Sequence, residues 1–544
     1  MNLTVLKAVL GICISFSIYG QVSQSPKLVV GIVVDQMCYD YLYRFQEKFS
    51  DSGFVKLMKE GTNCRNTHYN YVPTYTGPGH ASIYTGTTPS NHGIVGNQWF
   101  VKSKGISVNC VSDHKVKTVG SNSKKGECSP HRLLSNTITD QLKLTYKDAK
   151  VISISIKDRG AILPGGYLSN GTYWFDKKEG KMITSDFFRK ELPLWVKEFN
   201  DLDYPSKSMT NVWETLYPIS TYSESEPDDS KYEALLPGKS KPVFPYDLSV
   251  VPEARKYNIF TSTPYANTYL TDFAITSILS ESLGLGKQTD FLCISYSSTD
   301  ILGHAFGPYS VELEDMYLRL DLELSRLIKT LEDKVGKENF VLFLTADHAV
   351  VPVPQYLVDK KLPGGYLNLE EKTIELNELL QVKFGSKFIQ SNVNNNIYLD
   401  DKTIQLLGID KAELIDFIKN EIYKWDGVKE VFTNKDLTLD CAKSEWSNMV
   451  RQGYVRDRSG DLIFILQPGC LTEYSDKSHT GTSHGSAFNY DTHVPLLWYG
   501  KGMKGKEVFR KINITDITAT LTHILNLQTP NSTTGNPILE LLEE

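Results

Sequence analysis

Six side chains in this sequence have the types and the placing to hold metal ions. Asp35 closes the apolar run LVVGIVV, and Asp300 follows FLCISYSST with His304 one helical turn on. Asp347 and His348 close FVLFLTA, and His484 stands in GTSHGSAF shortly before another apolar run. An aspartate after a strand is ordinarily an Asx turn or a helix cap, and a lone histidine is ordinarily packed or at the surface. The joint pattern is different. Three aspartates and three histidines at one place repel, or lie buried unpaired, unless cations stand between them. Mixed Asp/His ligation suits Zn2+ better than Mg2+ or Ca2+, which take oxygen shells. Mn2+ and Co2+ fit the same donors. Six ligands are too many for one open catalytic zinc and right for two Zn2+ per chain, the clamp that supports in-line displacement at phosphorus.

NYVPTYTGPGH, residues 70–80, offers a nucleophile. A threonine hydroxyl is weak at neutral pH, and metal coordination activates it. Behind Thr76, Gly77 and Gly79 let the backbone approach a phosphate, and a helix beginning near Gly79 points its amides at the anion. Thr74 competes with Thr76, and the residues alone do not separate them.

These groups need a frame. KLVVGIVVDQ, VISISIKDR, DFLCISYSSTD, NFVLFLTADH and HVPLLWYG read as buried parallel strands, apolar without clean alternation. Amphipathic helices lie between them. In VELEDMYLRLDLELSRLIKTLEDK, Leu313, Tyr317, Leu320, Leu324, Leu327 and Leu331 fall at helical spacing. Strand then helix, repeated, gives an α/β fold: a doubly wound, mostly parallel sheet flanked by helices. In such sheets ligands bind beyond the carboxyl ends of the strands, where the Asp and His residues fall. Residues 165–285 read as an irregular insertion and 355–475 as a small α+β insertion, within one catalytic domain over 21–544.

Composition removes some functions. The net charge of -6 over 544 residues carries no basic surplus for nucleic acid. The N-terminus has Lys7, an apolar run from Ala8 to Tyr19, then Gly20. It reads as a signal peptide over 1–20, too short for a membrane span. Ile12 before Cys13 is not the small residue a lipid-anchor site wants. The expected product is a periplasmic or secreted monomer with no membrane anchor. Seven cysteines follow Cys13. Cys293 reads as a buried thiol, and either Cys110–Cys128 or Cys441–Cys470 could pair, without sequence establishing either bond.

Taken together, VVDQM, YVPTYTGPGH, HGIVGNQWF, SIKDRGAILPGG, SSTDILGHAFGP, TADHAV and GTSHGSAF resemble the alkaline phosphatase superfamily. The nearest likeness is to the PafA-type phosphate-monoester phosphatases, exported by bacteria. The resemblance runs in order from about residue 27 to the C-terminus. It implies Thr76 as nucleophile and as fourth partner of one zinc, with Asp35, Asp347 and His348. It implies Asp300, His304 and His484 for the other zinc, the GTSH frame choosing His484 over His479. Asn97 matches an asparagine that donates to a phosphoryl oxygen. Lys157 and Arg159 match the pair that marks the monoesterase branch, holding a dianionic phosphoryl group by charge-assisted hydrogen bonds. Two apart at a strand end, they are expected on one face, with Asp158 on the other. GPGH after Thr76 and DHAVVPVP after the fifth strand depart from the family in small residues.

The implied activity is hydrolysis of small phosphate monoesters through a covalent phosphothreonine. The alternative is a phosphodiesterase or nucleotide pyrophosphatase on the same scaffold. The Lys157/Arg159 pair speaks against it, since a diester carries one fewer charge. A sulfatase needs Cys or Ser in C/S-x-P-x-R, and Thr76-Gly77-Pro78-Gly79-His80 is not that. A binding protein that has lost catalysis would lack a ligand, and none is missing.

Overall fold

A computed structural model describes residues 25–438, 444, 446–473 and 479–542. The expected signal segment, Cys13 and Cys441 lie outside the described residues.

Ten strands form one sheet. In chain order they are β1 (Leu28–Val34), β2 (Thr62–Cys64), β3 (Thr118–Val119), β4 (Val151–Ser155) and β5 (Gly171–Asp176). Then come β6 (Lys181–Ser185), β7 (Asp290–Tyr296), β8 (Phe340–Thr345), β9 (Leu496–Gly500) and β10 (Lys506–Val508). They lie in the order β10-β2-β9-β8-β1-β7-β4-β5-β6-β3. The five central strands, β8 to β5, are parallel, so their carboxyl ends share one edge. Every residue of β1, β7 and β8 is buried, which explains apolar runs without alternation. HVPLLWYG departs from expectation, since β9 runs antiparallel to β8. An apolar run covered on both faces reads the same in either direction, so its pattern carries no sign of orientation.

Helices flank the sheet: α1 (Thr76–Thr85), α2 (Asp158–Gly165), α3 (Pro264–Ser280), α4 (Ser298–Phe306) and α5 (Val311–Lys334). In α5 the Ser310 hydroxyl caps the first turn by accepting from the Leu313 N–H at 3.2 Å. The six expected stripe residues of α5 are all buried. All ten residues of α1 are buried, so both its ends need partners inside the protein. At its C-terminus the carbonyls of Ile83, Thr85 and Gly86 accept from Thr518 Oγ1, Thr533 Oγ1 and the Thr534 N–H, at 2.8, 2.9 and 2.8 Å. The last segment of the chain therefore closes the helix that begins at Thr76.

Residues 165–285 are more ordered than an irregular insertion. They supply β5, β6 and α3 to the main body. Between β6 and α3 run short helices and a two-strand pair, Val212–Trp213 with Tyr246–Asp247. Residues 365–473 hold a core of their own. The strands Ile389–Val393, Asn396–Leu399, Leu462–Leu466 and Val428–Thr433 lie side by side. The helices Leu369–Phe384 and Lys411–Ile422 bury Leu376, Leu380, Leu414 and Ile418 against Ile397 and Phe464. The described cysteines are free thiols, Cys110 and Cys128 included, and Cys293 is buried.

Candidate active site

Asp35, Asp347 and His348 stand just past the ends of β1 and β8. Asp300 and His304 sit one turn apart on α4, and His484 lies on a loop. Two groups of ligand atoms come within 4.8 Å of one another: Asp300, His304 and His484, and Asp35, Asp300 and His348. Asp300 belongs to both. Asp347 stands beside the second group, its Oδ2 3.7 Å from His348 Nε2, while its Oδ1 accepts from the Gln36 N–H at 3.2 Å.

All three histidines are oriented alike. Nδ1 of His304 lies 2.8 Å from the Thr482 carbonyl, that of His348 3.0 Å from the Ala349 carbonyl, and that of His484 2.7 Å from the Thr74 carbonyl. A carbonyl only accepts, so each Nδ1 carries a proton and each Nε2 is turned toward the carboxylates, His304 Nε2 3.1 Å from Asp300 Oδ1. This is how metal-ligating imidazoles are fixed. Buried carboxylate oxygens add the complementary need. Asp35 Oδ1 and Asp347 Oδ2 have no hydrogen-bond partner. Unpartnered carboxylate oxygens beside imidazole Nε2 atoms turned the same way fit divalent cations with mixed N/O ligation.

The electrostatics follow from crowding. Burial, then the neighbouring Asp300 and Asp347, pushes the Asp35 carboxyl well above the usual range. Asp300 goes the other way. Burial opposes its charge, but His304 and Lys157 hold it well below that range. Burial, then His348, keeps His484 neutral. The Lys157 ammonium bridges the pair, 2.7 Å from Asp35 Oδ2 and 2.5 Å from Asp300 Oδ2. It lies 3.4 Å from the Thr76 hydroxyl.

Thr76 is the first residue of α1 and is buried; its Oγ1 lies 3.5 Å from His348 Nε2. Thr74 is differently employed. Its hydroxyl donates to the Ser486 carbonyl at 3.0 Å, away from the carboxylates, while its own carbonyl orients His484. The helix starts three residues earlier than expected. A Cβ on Gly79 would meet the Asp347 carbonyl at 2.3 Å, so only glycine lets α1 lie against the loop bearing Asp347 and His348. Asn97 Oδ1 accepts from the Gly77 N–H at 2.7 Å, which leaves the amide Nδ2 as its donor.

Lys157 and Arg159 are not on a strand face. Lys157 precedes α2, and Arg159 is the helix's second residue. Asp158 does not point away. Its Oδ1 accepts from the Arg159 N–H at 2.7 Å and lies 3.4 Å from the guanidinium. The chain turns into a helix at Asp158, so strand alternation does not govern the pair. Arg159 Nε is buried and has no hydrogen-bond partner.

Three further residues enter the site. His80 places Nδ1 2.9 Å from the Thr76 carbonyl and 3.4 Å from Asp347 Oδ2, with Nε2 2.9 Å from Ser295 Oγ. Gln36, at φ 67°, donates Nε2 to Asp300 Oδ1 at 2.8 Å. Lys177, just past β5, is half-buried and makes no hydrogen bond or ion pair among the described residues. Burial, then Lys157 and Arg159, lowers its pKa to about 8. In the sequence, His80 lies one helical turn after Thr76, which is a usable signal. Lys177 follows an aspartate in a KK pair and carries none.

A cavity of about 290 Å³ opens beside His304 and His484, between the main body and the 365–473 core. His304, 37% exposed where His348 is fully buried, marks the open side.

This arrangement has relatives. The family model for type I phosphodiesterase / nucleotide pyrophosphatase matches residues 29–487. The chain belongs to that family, within the alkaline phosphatase superfamily. Alkaline phosphatase PafA of Elizabethkingia meningoseptica is 41% identical over 95% of this chain and 94% of its own. A Myroides odoratus protein described as a calcium-transporting ATPase is 41% identical over 96% of this chain and 95% of its own. The crystal structure of wild-type PafA superposes with a TM-score of 0.91 at 39% identity, covering 96% of this chain and 99% of that one. The protein is an enzyme, an alkaline phosphatase.

Proposed function

We propose that this phosphatase hydrolyses phosphate monoesters with Thr76 as nucleophile. The observation that carries the reading is the place of the Thr76 hydroxyl: at a helix N-terminus, between His348 Nε2 at 3.5 Å and the Lys157 ammonium at 3.4 Å. Asp35, Asp347, His348 and Thr76 would hold one Zn2+, and Asp300, His304 and His484 the other. Bound there, the ions supply Lewis acidity to the attacking and departing oxygens. Thr76 Oγ forms the bond to phosphorus as the ester's P–O bond breaks and the alcohol leaves. Water then breaks the phosphothreonine, returning the hydroxyl and releasing phosphate. The Lys157 ammonium, the Arg159 guanidinium and Asn97 Nδ2 donate to the non-bridging oxygens, and the first amides of α1 face the same anion.

The ATPase description of the Myroides relative fits this chemistry, since the terminal phosphoryl of a nucleoside triphosphate is also a dianion. Among the described residues no helix is long and apolar enough to cross a membrane. Export with loss of residues 1–20 belongs to the same reading, as does a single catalytic body over 21–544 carrying a small inserted core. The test is hydrolysis of an aryl phosphate against its methyl diester, with a trapped phosphopeptide sequenced. Phosphate on Thr76 and a faster monoester reaction are expected. Phosphate on Thr74, or a faster diester reaction, overturns the reading.

A further inference from the structure

The cavity beside His304 and His484 has a consistent chemical character. Trp99 and Tyr398 wall it, both almost wholly buried. Phe464 and Ile465 lie at its back, and Asn394 and Asn395 at its rim. Among the described residues, no aspartate, glutamate, lysine or arginine lines it. Arg458, over the Trp99 ring at 5.1 Å, is not part of the lining and donates to the Gly93 and Arg132 carbonyls. A neighbouring cavity makes the contrast. It is lined by Asp401, Asp461, Lys102 and Lys411, which pair with one another. The described residues thus bring paired charges to one cleft and neither acids, lysines nor arginines to the next.

Position gives the neutral cavity its role. His304 and His484, the candidate ligands on the open side of the site, form part of its lining. The phosphoryl-binding cations, Lys157 and Arg159, are absent from its lining. Its rim is built to stay in place. Asn394 and Asn395, at φ 55° and 59°, form the two-residue turn between Ile389–Val393 and Asn396–Leu399. Asn394 Nδ2 donates to the Gln98 carbonyl at 2.7 Å, fastening that turn to the main body next to Trp99.

We propose that this cavity receives the alcohol of the phosphate ester and selects uncharged, ring-bearing leaving groups, aryl or nucleoside. The inference rests on the monoesterase reading above. The indole, the phenol and Phe464 offer a ring aromatic contact, and the asparagines offer neutral hydrogen bonds. An ammonium or carboxylate on the alcohol would be desolvated against a lining with no counter-charge.

Three esters with leaving phenols of near-equal acidity test it: phenyl phosphate, 4-(aminomethyl)phenyl phosphate and 4-(carboxymethyl)phenyl phosphate. The zinc-loaded enzyme should favour the neutral ester over either charged one by about tenfold in kcat/KM. Adenosine 5′-monophosphate should be hydrolysed faster than glycerol 1-phosphate, whose alcohol is neutral but bears no ring, and equal kcat/KM overturns the preference for a ring. Asn395→Asp adds one charge to the rim at unchanged size, in a backbone conformation aspartate tolerates. It should move the cationic ester up and the anionic ester down relative to phenyl phosphate, with inhibition by inorganic phosphate unchanged. Three esters within twofold of one another, or an Asn395→Asp effect equal on all three, overturns the proposal. If no monoester is hydrolysed, the monoesterase reading has failed. The cavity then stands or falls by calorimetry, where 2-naphthol must bind the parent enzyme and an absent binding heat overturns the proposal.

Discussion

Two places in this molecule crowd buried carboxylates together, and they handle them differently. At the sheet edge Asp35, Asp300 and Asp347 meet three histidines and Lys157. Behind α4, Asp228, Glu233 and Glu312 crowd together around Tyr246. The Tyr246 hydroxyl donates to Glu312, and the Phe244 N–H donates to Asp228 at 3.1 Å. Each of these three acids keeps one buried oxygen with no partner. The cation beside them, Lys239, stands over the Tyr246 ring at 5.2 Å and donates to the Pro245 carbonyl. Burial, then Glu312 and Asp228, raises Glu233 to about 10; burial and Asp228 raise Glu312 to about 8, against the Tyr246 hydrogen bond. His304 and Lys157 hold Asp300 of the first cluster down, whereas burial and neighbouring acids push Glu233 and Glu312 of the second up. The difference lies in the surroundings. Carbonyls that orient the imidazoles make the first cluster a candidate ligand set, and among the described residues no histidine stands with the acids of the second.

The largest effect should come from the first cluster. Thr76→Ala should lower kcat by about 10³-fold or more while elemental analysis still finds about two zinc ions. Thr74→Ala should cost little, since the carbonyl that orients His484 remains. A chelator should abolish activity reversibly, and an enzyme fully active without metal would break the comparison. Next come the cations. Lys157→Ala with Arg159→Ala should lower monoester kcat/KM by about 10²- to 10⁴-fold, at about 1.5–3 kcal/mol for each charged hydrogen bond. Diester hydrolysis should change far less, and equal losses would show a structural pair.

Lys177→Gln should have a smaller effect, about three- to tenfold on monoesters, with a pH signature. A lysine lowered to about 8 is a cation below that pH and neutral above it. Parent and variant should therefore differ at pH 7 and converge by about pH 9.5. A constant gap across that range would mean that the charge is not what acts. The smallest effect tests the second cluster. Folded-state pKa values raised above the unfolded ones mean that the folded chain holds protons the unfolded chain releases. That stability is complete below about pH 4.5 and is lost as pH rises through about 8 to 10. Glu312→Gln removes one of the protons at stake. It should raise Tm by about 1–3 °C at pH 9, do little at pH 5, and leave kcat unchanged. A fall in Tm at pH 9 would show that the second cluster binds a cation after all.

The first cluster was legible because strand ends announce themselves. Asp35, Asp347 and His348 each follow a fully apolar run, and Asp300 with His304 has helical spacing. The α5 stripe was legible for the same reason of periodicity. Thr76 against Thr74 was not, because what sets the two hydroxyls apart is the Ser486 carbonyl, 412 positions along the chain, which accepts from the Thr74 hydroxyl. The Lys157–Arg159 geometry misled, since a helix starts where alternation was assumed. The second cluster left no pattern. Asp228, Glu233 and Glu312 come from a loop, a turn and a helix, and only the fold brings them together.

The closure of α1 by residues 518–534 has a consequence for the order of events in the life of the chain. Synthesis runs from the N-terminus, so Thr76 is made well before Thr533 and Thr534. Until those residues arrive, the carbonyls of Thr85 and Gly86 have no partners, and the helix that presents Thr76 is open at its far end. The helix whose first residue is Thr76 is thus completed by contacts from residues far along the chain, made only once those residues are in place.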